Sequence, residues 1–264
     1  MGVLAINFDG GLFLRLLIHP DSVFAHALAT TVGIAVAAEV LGILIGLIVA
    51  LARLSPVLPL KVLAYLYALV IRGTPVIVQV FFIYYGANLF LGFNLFPGTI
   101  SIPRITLSGA VVAGTAALAI NEGGYMSEII RAGIQSIDPG QMEASKTLGM
   151  SGAQAMRRVI LPQTARVIAP VVGNQFNGML KTTSLLFFIG VYEIFADAQT
   201  HYAVTFKPAE YFGAAAVWYL VLTSVWSVIQ YSIERRLGVS VRAQATRRRR
   251  MRTFAALDAM MGRR

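Results

Sequence analysis

The chain contains no cysteine, which excludes disulfides, thiolate metal sites and a cysteine nucleophile. Its three histidines, His19, His26 and His201, are scattered and lack the spacing of a metal site. Its four lysines, Lys61, Lys146, Lys181 and Lys207, follow Leu, Ser, Leu and Phe, so there is no G-x-x-x-x-G-K-[ST] phosphate loop. ATP cannot bind by that route, and no nucleophile elbow is present. Acidic residues are sparse as well: 12 Asp and Glu stand against 22 Lys and Arg, for a net charge of +10. No basic residue precedes Arg15, so a cleaved signal peptide is not expected.

What the chain does contain is apolar sequence. Of 264 residues, 57% are hydrophobic and 13% charged, with a mean hydropathy of +0.71. A soluble domain is not built this way. Several runs reach the ~20 residues needed to cross a bilayer, and one membrane domain accounts for the length. The first 22 residues hold a short patch, Leu12–Ile18, that suits the membrane interface. Span 1 is read at Ala27–Leu51, interrupted by Glu39 and carrying Gly42-x-x-x-Gly46, a spacing that more often serves packing within a chain than dimerisation. An interfacial helix over 60–71 leads to Arg72-Gly73-Thr74-Pro75 and span 2, Pro75–Phe96. A Pro- and Gly-rich loop, 94–104, follows. Span 3, about 105–130, passes through Asn121-Glu122-Gly123-Gly124, which suggests local unwinding. Span 4 is Val167–Val191, residues 192–210 form a polar loop with a short helix, and span 5 is Tyr211–Ile233.

Five spans place the termini on opposite sides. The connections 52–74, 131–166 and 234–264 hold eighteen of the 22 Lys and Arg, against Arg15, Arg104 and Lys207 on the other side. The positive-inside rule therefore sets the N-terminus outside and the C-terminus in the cytoplasm. The arginine-rich tail, Arg247–Arg250 and Arg252, is expected to touch anionic lipid rather than nucleic acid.

Between spans 3 and 4 lies DPGQMEASKTLGMSGAQAMRRVILP, residues 138–162. Asp138 before Pro139 reads as a helix start, and Gly149 as the left-handed residue closing that helix. Ser151 caps a second helix with Ala153, Met156 and Ile160 on one stripe, stopped by Leu161-Pro162. Two capped amphipathic helices at a corner suit a protein partner. Glu143-Ala144-Ser145, Gly149 and Leu161-Pro162 resemble the EAA loop of ABC-importer permeases, with Ser145 for the second Ala and Val159 for the Ile. The resemblance implies that Glu143, Ala144, Ser145, Gly149, Leu161 and Pro162 dock on a separate ATPase subunit.

Ionisable residues within spans are costly and hence functional candidates. A zwitterionic solute needs a cation for its carboxylate and an acceptor for its ammonium. Lys181 and Glu122 could supply these, with Gln79, Tyr125, Thr182 and Ser184 adding hydrogen bonds. Alternatively Glu122 and Lys181 pair with each other or with backbone as structural glue. Glu39 reads as a protonated helix–helix hydrogen bond, and Arg72 as an interface anchor.

Further stretches resemble the polar amino acid uptake branch of these permeases. They are Arg72-Gly73-Thr74-Pro75 with Gln79, the run from Tyr125 through Glu128 and Arg131 to Gly133-Ile134, and Pro170, Gly173-Asn174 and Leu180-Lys181 with Thr183-Ser184-Leu185. The resemblance implies an all-α polytopic membrane protein of the type I ABC importer permease fold, in a bacterial cytoplasmic (inner) membrane. Residues 1–22 would be an extracytoplasmic segment, 23–236 the permease domain with a coupling loop at 135–165, and 237–264 a basic cytoplasmic tail. It further implies a non-enzymatic translocation subunit with no cofactor of its own, ATP being held by the partner. Expected partners are ABC ATPase subunits, a second permease copy or paralogue, an extracytoplasmic solute-binding protein and a polar amino acid. The competing class is a stand-alone carrier coupled to Na⁺ or H⁺ through Glu39 and Glu122, though no internal repeat of the kind common in such carriers is evident. A non-transport scaffold leaves Glu122 and Lys181 unexplained.

Overall fold

The structure, a computed structural model, describes residues 8–86, 89–90, 92, 95–102 and 105–238. The tail at 239–264, Arg104 and part of the second span lie outside the described residues. Helices dominate: α1 (Gly10–Ile18), α2 (Ser22–Leu54), α3 (Leu58–Gly73), α4 (Val76–Phe81, continued by a π turn, Phe82–Gly86), α5 (Gly109–Gln135), α6 (Pro139–Thr147), α7 (Gly152–Ala155, then a π turn, Met156–Ile160), α8 (Leu161–Thr182, then a 3₁₀ turn, Thr183–Ile189), α9 (Ile194–Thr205) and α10 (Pro208–Arg236). The all-α expectation needs one amendment. Thr99–Ile102 (β1) and Ile105–Ser108 (β2) pair as an antiparallel hairpin, so the helix of span 3 begins at Gly109 and not near Ile105. Short runs rich in Ile and Thr favour strands here.

Two helices, α2 and α10, are each long and apolar enough to cross a membrane alone. The 33 residues of α2 reach about 50 Å at 1.5 Å per residue, beyond a hydrocarbon core of about 30 Å. α3 and α4 form a bent pair, turned by 111° at Thr74–Pro75. The bend separates the helix expected over 60–71 from span 2, whose described part begins at α4 with Pro75 as its N-cap. Pro75 offers no N–H, so the chain turns there instead of extending α3.

The chain divides into two compact units, residues 1–132 with 174–225 and residues 133–173 with 226–264. In the first, helices approach through small residues. A Cβ on Gly42 would stand 2.7 Å from Glu122 Cβ, and one on Gly46 would collide with Met126, whose carbonyl carbon lies at 2.9 Å. Gly123 meets Ile45 and the Tyr67 hydroxyl, and Gly124 meets Ile71. Small residues let backbones close up where lipid offers no hydrophobic driving force. The GxxxG pair thus packs within the chain, as its spacing suggested. Asn121–Gly124 does not unwind: α5 runs unbroken through it, and its glycines admit neighbouring side chains.

A second centre joins α1, α2, α9 and α10, where Ile194, Ala198, Tyr211 and Ala215 are buried against Leu12, Leu16, Phe24 and Leu28. The short helix expected within 192–210 is α9, and it is integral to this core. Glu193 caps it from full burial, accepting from Ala196 N (2.9 Å) and from the Tyr219 hydroxyl (2.6 Å). Asp9 caps α1 and accepts from Lys207 Nζ at 2.8 Å. That bond holds the Asp9 carboxyl below its ordinary range and raises the lysine.

In the second unit, α8 and α10 run antiparallel. Trp226 Nε1 donates to Gly173 O (2.8 Å) and Gln230 Nε2 to Pro170 O (3.2 Å). Gly133 is a seat for Ile168 and Thr164.

Candidate coupling element and membrane polar cluster

The coupling element lies wholly in the second unit. Asp138 accepts from Gly140 N at 2.8 Å, with Pro139 at the first helical position. α6 ends by the double closure of a Schellman motif: Met150 N donates to Ser145 O (3.1 Å) and Gly149 N to Lys146 O (2.9 Å). Gly149 takes φ +81° there, a region costly to any residue with a Cβ. Ser151 then opens α7 with a capping box, donating its N–H to Gln154 Oε1 (2.9 Å) and accepting from Gln154 N (3.3 Å).

The buried side of the element holds Ser145, Ala155, Ile160 and Thr164. Ser145 Oγ donates to Gln141 O at 2.7 Å, which explains how a hydroxyl is tolerated where the EAA pattern has alanine. The outer side presents Glu143, Ala144, Leu148 and Gly149, with Leu148 79% exposed. Among the described residues Glu143 makes no ion pair. A free carboxylate and a bare leucine thus stand exposed beside a fixed corner.

Two expectations change. Leu161-Pro162 does not stop a helix; the helical backbone runs from Gly152 through the π turn into α8, with Leu161 N donating to Met156 O just before the proline, which has no N–H. The stripe is also shifted, because the π turn at Met156–Ile160 adds a residue to the ladder. Ala155, not Ala153, is buried with Ile160, and Ala153 is exposed. Ser151→Ala should remove the bond from Gln154 N to the hydroxyl while leaving the backbone N–H of residue 151 to Gln154 Oε1, weaken the element by about 1 kcal/mol and reduce ATPase affinity a fewfold at unchanged membrane insertion. Binding of the purified ATPase to Ser151→Ala vesicles checks this.

The polar cluster belongs to the first unit. Gln79 is nearly buried and bridges the α3–α4 bend. Its Nε2 donates to Ile71 O (2.7 Å) and Thr74 Oγ1 (2.8 Å), and its Oε1 accepts from Asn121 Nδ2 (3.0 Å). The glutamine four residues past Pro75 thus satisfies carbonyls that the bend leaves open and ties the corner to α5. Glu122 is 5% exposed and accepts from Gln175 Nε2 at 3.1 Å. Lys181 is exposed and unpaired among the described residues, so the Glu122–Lys181 pairing does not form. Tyr125 is 37% exposed, with the Arg72 guanidinium 5.9 Å above its ring. Thr182 and Ser184 donate to Gly178 O and Lys181 O of their own helical turns. Glu39 forms no hydrogen bond among the described residues, so its expected helix–helix bond is not seen there.

Sequence reasoning passed over one hub. Glu128 accepts from Arg53 (2.6 Å) and pairs with Arg131, with Arg72 at 3.7 Å. One carboxylate thus gathers arginines from α2, α3 and α5. The Glu128/Arg131 spacing of three was the available signal; the contributions of Arg53 and Arg72 are long-range.

A helical, multi-span chain with buried polar residues in its bundle and a capped two-helix corner has the build of a membrane transport subunit. Residues 42–239 match the family described as binding-protein-dependent transport system inner membrane component, and the chain belongs to it, as a multi-pass inner-membrane permease. It is similar to the arginine transport system permease protein ArgU of Corynebacterium glutamicum, 38% identical over 216 residues, covering 81% of this chain and 68% of that one. It is 39% identical over 213 residues to the probable amino-acid permease protein YxeN of Bacillus subtilis, covering 81% and 90%. A chain of a solved amino acid ABC transporter with histidines aligns at TM-score 0.72 and 38% identity, covering 89% of this chain and 100% of that one.

Proposed function

We propose that the chain is the translocating subunit of an ATP-driven importer of polar amino acids, coupled to a separate ATPase through residues 138–162. The observation that carries this is the coupling element: a Schellman-closed, capping-box-opened corner with Glu143, Ala144, Leu148 and Gly149 facing out. The amino acid permeases among its relatives support the substrate class. A second copy or a paralogue completes the translocation path, a solute-binding protein delivers the solute outside, and ATP acts on the ATPase alone. Closure of the ATPase dimer draws the docked corners together and shifts the permease between outward- and inward-open states.

Five crossings with the N-terminus outside fit the helix directions. Gly42 meets Glu122 while Gly46 meets Met126, so α2 and α5 run parallel. A single return passage, the α3–α4 pair, then lies between them. With the cationic connections, this supports a cytoplasmic coupling element. Residues 23–236 form the permease domain, and the basic tail meets anionic lipid.

For the solute, Lys181, Tyr125, Thr182 and Ser184 are the partly or fully exposed members of the expected set and make the direct contacts. Gln79 and Glu122, buried and engaged with protein partners, hold the helices that carry them. Crosslinked detergent pull-downs of tagged wild type and a Glu143→Ala/Gly149→Asp double variant test the coupling. A soluble ATPase recovered with wild type and lost from the variant is expected. Equal recovery from both, or none from well-folded wild type, overturns the assignment.

A further inference from the structure

The buried carboxyls of the first unit are not accounted for by docking or solute binding. Glu39 of α2 and Glu122 of α5 lie at one helix contact: Gly42, one turn after Glu39, sits against the Glu122 side chain. Each glutamate is only 5% exposed, so a solute the size of an amino acid does not reach either. Both carboxyl oxygens of Glu39 are fully buried and lack a hydrogen-bond partner among the described residues.

Among the described residues, the neighbouring groups supply no compensating charge. The charged group acting on Glu39 is Glu122 itself. From α8, Glu122 receives the neutral amide of Gln175. From α3, the Tyr67 hydroxyl is committed to Ile120 O at 2.6 Å, and on α5 the Asn121 amide is committed to Gln79. The arginines of α2, α3 and α5 gather instead on Glu128.

An unpaired carboxylate in so apolar a setting is costly enough that the group neutralises instead. Two carboxylates sharing one site cannot both ionise cheaply. A carboxylic acid, by contrast, is tolerated among small residues inside a membrane bundle. We propose that Glu39 and Glu122 form a buried proton-binding site, in which the pair retains at least one proton and the proton, not the transported solute, is the ligand. Removing that proton leaves two like charges between α2 and α5 at the Gly42 contact and loosens their packing. The permease is therefore sensitive to alkaline pH through this pair, whatever solute it carries and whichever ATPase it meets.

Infrared difference spectroscopy and thermal melting test this on the full chain in lipid nanodiscs, comparing wild type, E39Q and E122Q. Wild type should show a protonated-carboxyl stretch at neutral pH that shifts in D₂O and is lost in E39Q. Its melting midpoint should fall between neutral and alkaline pH, and E39Q should lack that fall. If E39Q does not insert, E122Q serves the melting comparison, since it too removes the like-charge pair. Absence of the wild-type band, or an equal alkaline fall in both glutamine variants, overturns the site. Rescue of the alkaline fall by Na⁺ but not choline, in wild type alone, identifies a metal cation as occupant and overturns it as well.

Discussion

Gly149→Asp should leave the chain inserted in the membrane and reduce ATP-driven uptake at least about tenfold, two physical costs adding at one corner. Gly149 holds φ +81°, and a side chain there costs up to about 1–2 kcal/mol, less for asparagine or aspartate than for alanine. A carboxylate at the end of α6 meets the negative pole of that helix, a further 0.3–1 kcal/mol or about that. Together they approach or exceed the 1.4 kcal/mol that corresponds to a factor of ten. Steric exclusion within the chain is not involved, because a Cβ at Gly149 meets nothing within 4 Å. The defect is thus conformational and electrostatic, and it falls on the exposed face beside Leu148. A graded series separates these causes. Gly149→Asn, which tolerates the left-handed region, should retain most uptake, with Gly149→Ala lower and Gly149→Asp lowest. Uptake of labelled amino acid by vesicles containing the assembled importer, normalised to inserted permease, measures the order. An alanine variant as active as asparagine, or normal uptake by the aspartate variant, would remove the backbone explanation.

That corner was legible in the sequence because its determinants are local. Asp138-Pro139, Gly149 and Ser151 act on backbone groups within a few residues, and caps of this kind work the same way in almost any surroundings. What sequence could not reveal depends on residues far apart in the chain. Gln79 reads as a polar residue in a span, a candidate ligand, until the 111° bend shows which carbonyls it must satisfy. Asn121–Gly124 reads as an unwinding signal, since glycine weakens an isolated helix; only Ile45, Tyr67 and Ile71 reveal that its glycines are contact points. The π turn after α7 shifts the helical phase by a residue, which moves burial from Ala153 to Ala155. The hairpin at 99–108 is a case of short apolar runs, where strand and helix start are hard to separate by period alone.

The contact between α2 and α5 gives the other large effect. Gly46→Leu should destabilise the chain by about 3 kcal/mol or more, at or above the usual range for overpacking, and sharply lower the yield of folded permease. A Cβ at Gly46 would collide with Met126, and two of the atoms it meets at 2.9 Å, Met126 C and Ser127 N, are backbone. Rotamer change cannot clear backbone, so α2 and α5 would have to separate. Separation would also uncouple Gly42 from Glu122, and with it the seat of the buried carboxyl pair. Gly33 lies in the same helix, with nothing within 4 Å of its would-be Cβ, and Gly33→Leu should change stability by no more than about 1 kcal/mol through helix propensity. The pair of variants holds composition, helix and hydrophobicity constant and alters only what the new side chain meets. Melting of the two purified proteins in the same detergent compares them directly. Met126→Ala should fail to rescue Gly46→Leu, because it removes side chain while the obstruction is main chain. A Gly46→Leu protein that melts with wild type, or one restored by Met126→Ala, would show that α2 and α5 are not held at backbone contact and that the small-residue stripe has another purpose.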